Sequence, residues 1–542
     1  MYVWVQNYNP AGNLWISFAA AATPVIFLFV SMIFLRMKGH VVGTVLVLLA
    51  LANAIFFYDM PASPALSAGL FGFFYGLWPI AWVIVAAVFF YKLMIKTDQF
   101  DVIRSSLSPI TRDRRLQMLL VTIPFGGFLE GALGFGAPVA ITAAFLIGLR
   151  FKPLYAAGLC LIANTAPVSF GAISIPITVA SKLTGIDTFL LGQMAGRQLP
   201  FLAFAMPFLL VAIMDGARGL KETWPAILTA AVSFSTVMFL TSNFIGPELT
   251  DILSSLASLA CLLLLLKVWR PRTIFRFAWD DDDEKEDVHR FSRPRILQAW
   301  SPFFFLTAAV SLWSTEQLRG LLGRASVEIP IPGLHKLIME TYPISATNEV
   351  IPALYKFDLL LTPGSAIMLA AIVSMVFLKV APGAGLKIFE ESLKHTFRSL
   401  YTISMMLTFA FIVNYSGQTA TIALLLTKSG PLFPFFSPVL GWFGVFITGS
   451  DTASTGLFCE LQAVVAHQVG APELLMIVSN STGGVTAKMI SPQNIAIAAA
   501  AVGLAGRESH LLRFTLRYSL PLLLFMGGLT TAQTYLFPWM IP

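Results

Sequence analysis

Three ionisable side chains, Glu130, Asp451 and Lys488, sit in long apolar runs beside glycines. Glu130 stands in Gly126-Gly127-Phe128-Leu129-Glu130-Gly131-Ala132-Leu133-Gly134-Phe135-Gly136-Ala137-Pro138, and Asp451 in Thr448-Gly449-Ser450-Asp451-Thr452. An ionised carboxylate deep in a bilayer costs at least ~2.5 kcal/mol on insertion scales, so each acid should be protonated, paired or wetted. A carboxyl group poised between those states can load a proton from one side and release it to the other. The structural alternative is capping of backbone N–H groups, by Glu130 at the tip of a turn and by Asp451 as N-cap of the helix that leaves its own turn. Lys488 lies between Gly483-Gly484-Val485-Thr486-Ala487 and Met489-Ile490-Ser491-Pro492-Gln493. Its ammonium could hold the carboxylate of a small organic anion, or pair with Asp451 or Glu130. Around these three stand Asn164, Thr165, Ser450, Asn480, Ser481, Thr482, Ser491 and Gln493. Such hydroxyls and amides could read a substrate's hydroxyl or cross-link helices.

Other candidates carry less. Arg197, in Gly196-Arg197-Gln198-Leu199-Pro200, could grip a carboxylate in bidentate fashion, but it falls at the outer end of an apolar window. His335 and His467 are lone histidines and read as surface or packing residues. Cys160, Cys261 and Cys459 are too widely spaced for a zinc site and too few for a disulfide framework, so they read as core thiols. Gly134-Phe135-Gly136 begins like a dinucleotide fingerprint but has no third glycine and no strand before it, and no Gly-Lys-Ser/Thr phosphate loop occurs. No metal and no cofactor is expected. The net charge of +7 reflects cytoplasmic loops and not a nucleic-acid interface. No nucleophile with a positioned base is visible, so the chain does not read as an enzyme.

The elements that must position these residues follow from composition. Of 542 residues, 57% are hydrophobic and 12% charged, against about 25% charged in soluble domains. Apolar windows near 14–35, 41–58, 66–95, 153–180, 198–214, 224–242, 251–266, 299–315, 362–378, 399–417, 473–504 and 515–541 each suit a helix crossing a hydrocarbon core ~30 Å thick. Strand-like alternation is absent, so the spacing predicts an all-α polytopic membrane protein with about twelve transmembrane helices. Lys and Arg gather at 36–38, 92–115, 218–221, 267–298, 379–398 and 505–517, which puts those loops inside and both termini outside. Lys336 and Lys356, in the long outer segment 316–361, run against this rule without reversing it.

Two apolar stretches do not fit as simple crossings. The stretch 116–149 has cytoplasmic flanks at both ends and a glycine-rich middle; 431–466 has outer flanks and breaks at Thr448-Gly449-Ser450-Asp451. Both read as re-entrant helical hairpins, entering from opposite sides. Each is followed by an apolar segment interrupted by polar residues, at Asn164-Thr165-Ala166-Pro167 and at Asn480-Ser481-Thr482-Gly483-Gly484. Asn164 and Asn480 are 316 positions apart, and Gly131 and Gly449 are 318 apart, which suggests an inverted repeat. Residues 1–266 would form the first half and 299–542 the second. The linker 267–298, with Asp280-Asp281-Asp282-Asp283-Glu284 among arginines, reads as a solvated cytoplasmic loop. Paired interruptions in opposed halves point to the binding site of a secondary transporter, because broken helices free backbone groups at the midplane.

These motifs, together with Gln6-Asn7-Tyr8-Asn9-Pro10-Ala11-Gly12-Asn13, Gly72-Phe73-Phe74-Tyr75-Gly76-Leu77-Trp78-Pro79-Ile80-Ala81-Trp82 and Asn243-Phe244-Ile245-Gly246-Pro247-Glu248-Leu249, resemble the lactate permease family of bacterial inner membranes. The likeness covers nearly the whole chain. It implies a carrier of L-lactate and related 2-hydroxy monocarboxylates, D-lactate and glycolate among them, driven by protons across the inner membrane. Glu130, Asp451 and Lys488 fall on family motif positions. The chain departs from the family pattern at Ala487, where Gly is usual, and at Thr455, where Asn is usual. A sodium-coupled carrier of other organic acids is the rival expectation.

Overall fold

A chain segment in lipid has no water for its N–H and C=O groups, so apolar runs satisfy them internally as helices. The computed structural model describes residues 3–542 apart from 34, 36, 38, 108–109, 135, 280–290, 314, 345–347, 359 and 505–506, and it is built almost wholly of helices. Among the described residues, six helical runs are long and apolar enough to cross a bilayer: His40–Phe57, Ala62–Lys96, Thr188–Phe244, Pro247–Val268, Arg293–Trp313 and Gln418–Thr448. Two bent pairs raise this to eight, Pro153–Ala163 with Val168–Thr184 at 68° and Pro382–Arg398 with Leu400–Tyr415 at 45°. The windows 198–214 and 224–242 are joined in one stretch, Leu199–Phe244, broken at Gly216 with φ +59°. Counting runs by length therefore gives fewer crossings than counting apolar windows.

The protein is nearly but not entirely helical. Trp4–Val5 pairs in parallel with Ile338–Glu340, which pairs antiparallel with Glu349–Val350, and Val327–Pro330 pairs antiparallel with Leu354–Phe357. Strands of two to four residues are too short to leave a readable alternation in the sequence. His335 belongs to this region, its Nδ1 accepting from Ala353 N at 3.1 Å, while His467 is exposed.

Two helical hairpins form within the expected stretches. The first has arms 114–132 and Ala137–Gly148, and its turn uses Gly134 (φ +61°) and Gly136 (φ +79°) in conformations that side chains disfavour. The second has arms Phe433–Thr448 and Asp451–Val469, turning at Gly449. Phe135 of the first tip lies outside the described residues, as do the acidic run 280–284, Arg36 and Lys38.

Of the two expected breaks, the first forms and the second moves. Pro153–Ala163 ends at Asn164, and a distorted stretch follows before Gly171–Thr184. Asn480 to Gly484, by contrast, lie inside an uninterrupted helix, Glu473–Lys488, and the break falls at Met489-Ile490-Ser491 before Pro492–Ala501. The glycines serve close packing instead. A Cβ on Gly483 would lie 2.2 Å from Pro438 O on the second hairpin, and one on Gly441 of that hairpin 1.8 Å from Asn480 O. The shifted break keeps a repeat-like offset, since 171–174 and 488–491 are 317 positions apart.

Part of the linker is not a solvated loop. Arg115, fully buried, binds Asp113 at 2.8 Å, Asp215 at 2.7 Å and Glu222 at 2.8 Å, and also donates to Thr273 O at 3.1 Å. Phe275 N donates to Asp113 Oδ2 at 3.0 Å. Phe277 stacks on Trp279 at 4.7 Å, and Lys152 sits 4.1 Å over the Trp279 ring. The segment 270–279 thus straps both feet of the first hairpin to the Gly216 break. Apolar Phe and Trp between the arginines make this possible. Elsewhere, Gly39–Ala52, Ala62–Tyr75 and Trp82–Lys96 pack along Pro382–Tyr415, so helices from both ends of the chain share one wall. Cys160 and Cys459 are buried as expected, whereas Cys261 faces outward.

Candidate functional site

Where the two hairpin tips approach Gly171–Thr184 and Lys488, side chains enclose a cavity of about 430 Å³. Glu130, Asp451 and Lys488 all line it, with Ser450 and Gln493. Lys488 Nζ donates to Glu130 Oε1 at 2.6 Å, and Asn164 Nδ2 to Glu130 Oε2 at 2.9 Å. The side chains of Lys488 and Glu130 are 8% and 2% exposed, so this ion pair is almost wholly out of water. Glu130 is engaged by its side chain in this pair, not in capping the turn.

Backbone geometry makes room for that carboxylate. A Cβ on Gly171 would lie 2.6 Å from Glu130 Oε1. Directly after it, Ala172, Ile173 and Ser174 have φ of 45°, 58° and 58°. Positive φ is unfavourable for side-chain-bearing residues, above all for a β-branched one such as Ile173, and costs of order 1–3 kcal/mol each. Burial and the Ser174 Oγ bond to Pro247 O, 2.6 Å, hold the run in place.

Asp451 opens the helix after the second tip but is not its N-cap. Ser450 is extended there and accepts from Ala453 N at 3.3 Å, leaving the Asp451 carboxyl free to turn inward. Asp451 Oδ2 accepts from Ser481, whose hydroxyl also lies 2.7 Å from Ser169 Oγ, while Asp451 Oδ1 has no partner among the described residues. Ser481 therefore ties the second tip to the first broken segment.

The remaining predicted residues stand behind the wall. Asn480 accepts from Ser454 at 3.0 Å, inside the packing of the second hairpin. Thr482 faces away and bonds Gln198, which continues to Thr530 and Gln533. Ser491 caps Pro492–Ala501 through Asn494 N at 3.3 Å, and Asn494 Nδ2 reaches Gly449 O at 3.1 Å. Thr165 is fully buried, its hydroxyl unpartnered among the described residues. Arg197 does not reach the cavity; it donates to Asn243 Oδ1 at 2.8 Å and Met540 O at 3.1 Å beside a separate pocket.

This arrangement pairs one cation with one carboxylate in a chamber with further hydroxyl and amide groups, which suits a small anion. Residues 17–537 match the sequence profile of the L-lactate permease family. An L-lactate permease of Salmonella typhimurium is 54% identical over the full length of both chains. The chain belongs to the L-lactate permease family. It also shares 49% identity with the glycolate permease GlcA of Escherichia coli, over all of both chains, and 47% with an L-lactate permease of Bacillus subtilis, over 99% of this chain and all of that one. As a member of the L-lactate permease family it is a multi-pass membrane transporter and not an enzyme.

This family member has functional candidates that the sequence reading passed over. Arg398, His40 and Thr402 line the same cavity. Both basic residues follow or precede Lys/Arg clusters and looked like ordinary topology signals. Asn494, one position past Gln493, also lines the cavity. Asp251, 1% exposed, packs against Gly131, the neighbour of Glu130; as a lone acid opening an apolar window, it could have been found by the rule that singled out Glu130.

Proposed function

We propose that this chain imports L-lactate and related 2-hydroxy monocarboxylates, D-lactate and glycolate among them, by proton symport across a bacterial inner membrane, with both termini periplasmic. The observation that carries the reading is the 2.6 Å Lys488–Glu130 pair on the cavity wall. In a low-dielectric site one ammonium balances one carboxylate, and removing a partner leaves a costly unpaired charge. A substrate carboxylate that takes Lys488 displaces Glu130, which then takes up a proton in place of its lost partner. One monoanion crosses with one proton, and no net charge moves. Asp451, with one oxygen unpartnered among the described residues at the opposite tip, hands on that same proton in this scheme.

Ser450, Gln493 and Asn494 on the cavity wall are placed to read the 2-hydroxyl and the carboxylate oxygens. Asn164 orients Glu130, and Ser481 orients Asp451. The names of the relatives, two L-lactate permeases and one glycolate permease, support the substrate class. Lactate and glycolate differ by one methyl group, a difference worth about 1–3 kcal/mol in an apolar pocket. Two opposed halves, 1–266 and 299–542 joined by 267–298, are supported by the near-constant offset between hairpins and breaks.

A sodium-coupled cycle is the second reading, favoured by the unpartnered oxygens of Asp451 and Thr455 near one tip. Proteoliposomes carrying the purified protein separate the two. Labelled L-lactate, D-lactate and glycolate are expected to accumulate under an imposed pH step and to continue doing so when choline replaces sodium. Loss of uptake without sodium at constant pH overturns proton symport.

A further inference from the structure

We infer that Asp251 is a proton-relay carboxyl, handing its proton to Glu130 as the substrate takes Lys488; this rests on the proton-coupled reading above. Asp251 lies in the first turn of Thr250–Val268 and is 1% exposed, and neither of its oxygens has a partner among the described residues. Its Cβ would be 2.6 Å from a Cβ on Gly131, so it is pressed against the first hairpin one position past Glu130. Glu130 from that arm and Lys488 from Glu473–Lys488 are the charged groups acting on it. Glu248, in the preceding turn, lies against Gly246, and Asp215 and Glu222 of the neighbouring Leu199–Phe244 stretch are gathered around Arg115.

A carboxyl with two unpartnered oxygens in such an interior is stable as the acid, since an isolated carboxylate would pay the full desolvation cost. Asp251 therefore stands with a proton behind the Glu130–Lys488 pair. One Lys488 ammonium can balance one of the two carboxylates, and like charges at close range disfavour ionising both. When a substrate carboxylate takes Lys488, the released Glu130 side chain turns to Asp251, the O–H bond on Asp251 breaks and an O–H bond forms on Glu130. Asp251, now the carboxylate, takes its next proton through the adjoining segment 243–250, which the charge pattern puts outside. After release of the substrate, Glu130 gives its proton to the cavity and returns to Lys488. Each turnover carries one proton in the direction of the substrate, and Asp251 ends as it began.

The test uses the full-length protein in proteoliposomes with Asp251→Asn, an isostere of the protonated acid. Exchange of internal for external labelled L-lactate needs no net proton transfer and is expected within about twofold of the unaltered protein, while pH-driven net uptake falls at least about tenfold, as for loss of a positioned proton-transfer group. Its dependence on outside pH is expected to flatten. Asp251→Ser, which removes the acid without adding bulk, is expected to repeat the loss, and Asp251→Glu, which retains an acid, to restore net uptake. Net uptake in both Asp251→Asn and Asp251→Ser equal to that of the unaltered protein overturns the relay, as does equal loss of exchange and net uptake in all three variants. If the unaltered protein itself shows no pH-driven uptake, the proton-coupled reading fails first.

Discussion

Lys488 and Glu130 stand 358 positions apart in the chain and meet at 2.6 Å inside the cavity. The first hairpin supplies the acid, and the last residue of Glu473–Lys488, just before the helix breaks, supplies the base. In the proposed cycle a substrate carboxylate binds at the pair only by displacing a carboxylate already there. Competition for one ammonium is therefore the physical core of the coupling proposed above.

Replacing Glu130 with Gln removes the proposed proton carrier while keeping size and most hydrogen bonding. Glu130→Gln is expected to abolish pH-driven accumulation of lactate and to keep exchange of internal for external lactate. Flux measurements with and without a pH step decide it, and accumulation equal to the unaltered protein would remove Glu130 from coupling.

Lys488→Ala leaves the Glu130 carboxylate buried without its counter-ion, a change that costs about 3–5 kcal/mol in buried pairs. It is expected to lower the thermal unfolding temperature and to weaken lactate binding by at least about tenfold, the equivalent of 1.4 kcal/mol. The double variant Glu130→Gln/Lys488→Gln removes both charges and is expected to recover much of the stability but not the transport. Calorimetry and fluorescence-monitored unfolding in detergent give both readings; unaltered affinity in Lys488→Ala would return the residue to a structural role.

Gly483→Ala tests the close packing of Glu473–Lys488 on the second hairpin. A Cβ there meets Pro438 O at 2.2 Å, so backbone must move. Overpacking of this kind costs about 1–3 kcal/mol. The expected result is a lower yield of folded protein and a lower unfolding temperature; an unaltered unfolding temperature would remove the packing role from Gly483.

Arg398 is an exposed residue that lines the same cavity as Lys488, at the end of the Lys/Arg-rich segment 379–398. A guanidinium at that mouth would gather an anion before it reaches the ion pair or receive it on release. Arg398→Ala is expected to raise KM by about threefold to tenfold, the loss of a partly exposed charge contact of about 1 kcal/mol, with little effect on kcat. Kinetics from right-side-out and inside-out vesicles check this, and the effect should appear on the face that opens to Arg398.

Much of the architecture was legible because its signals are local. Apolar runs of bilayer length can become helices and little else, and a glycine-rich tip with charged flanks on one side can become a hairpin. Glu130, Asp451 and Lys488 stood out because a charge in an apolar run costs energy that must be recovered somewhere. Gly483-Gly484 was misread as a break because glycine serves two opposite purposes, releasing a helix and allowing another to approach it. The short strands of 327–357 and the strap 270–279 escaped notice because neither leaves a periodic pattern.

Sequence alone determined that the chain is a multi-pass helical membrane protein with two hairpins, that three buried charges need an explanation, and that its motifs are those of lactate permeases. It left open whether Lys488 meets Glu130, Asp451 or a substrate, since ion pairing is set by distances across hundreds of residues. Only the tertiary structure decided that Lys488 takes Glu130, that Asp451 turns inward beside Ser481, and that Arg398 shares their cavity while Asp251 waits behind it. The reason is that burial cost is a property of each residue's own neighbourhood in the chain, whereas its compensation depends on what other segments bring within a few ångströms.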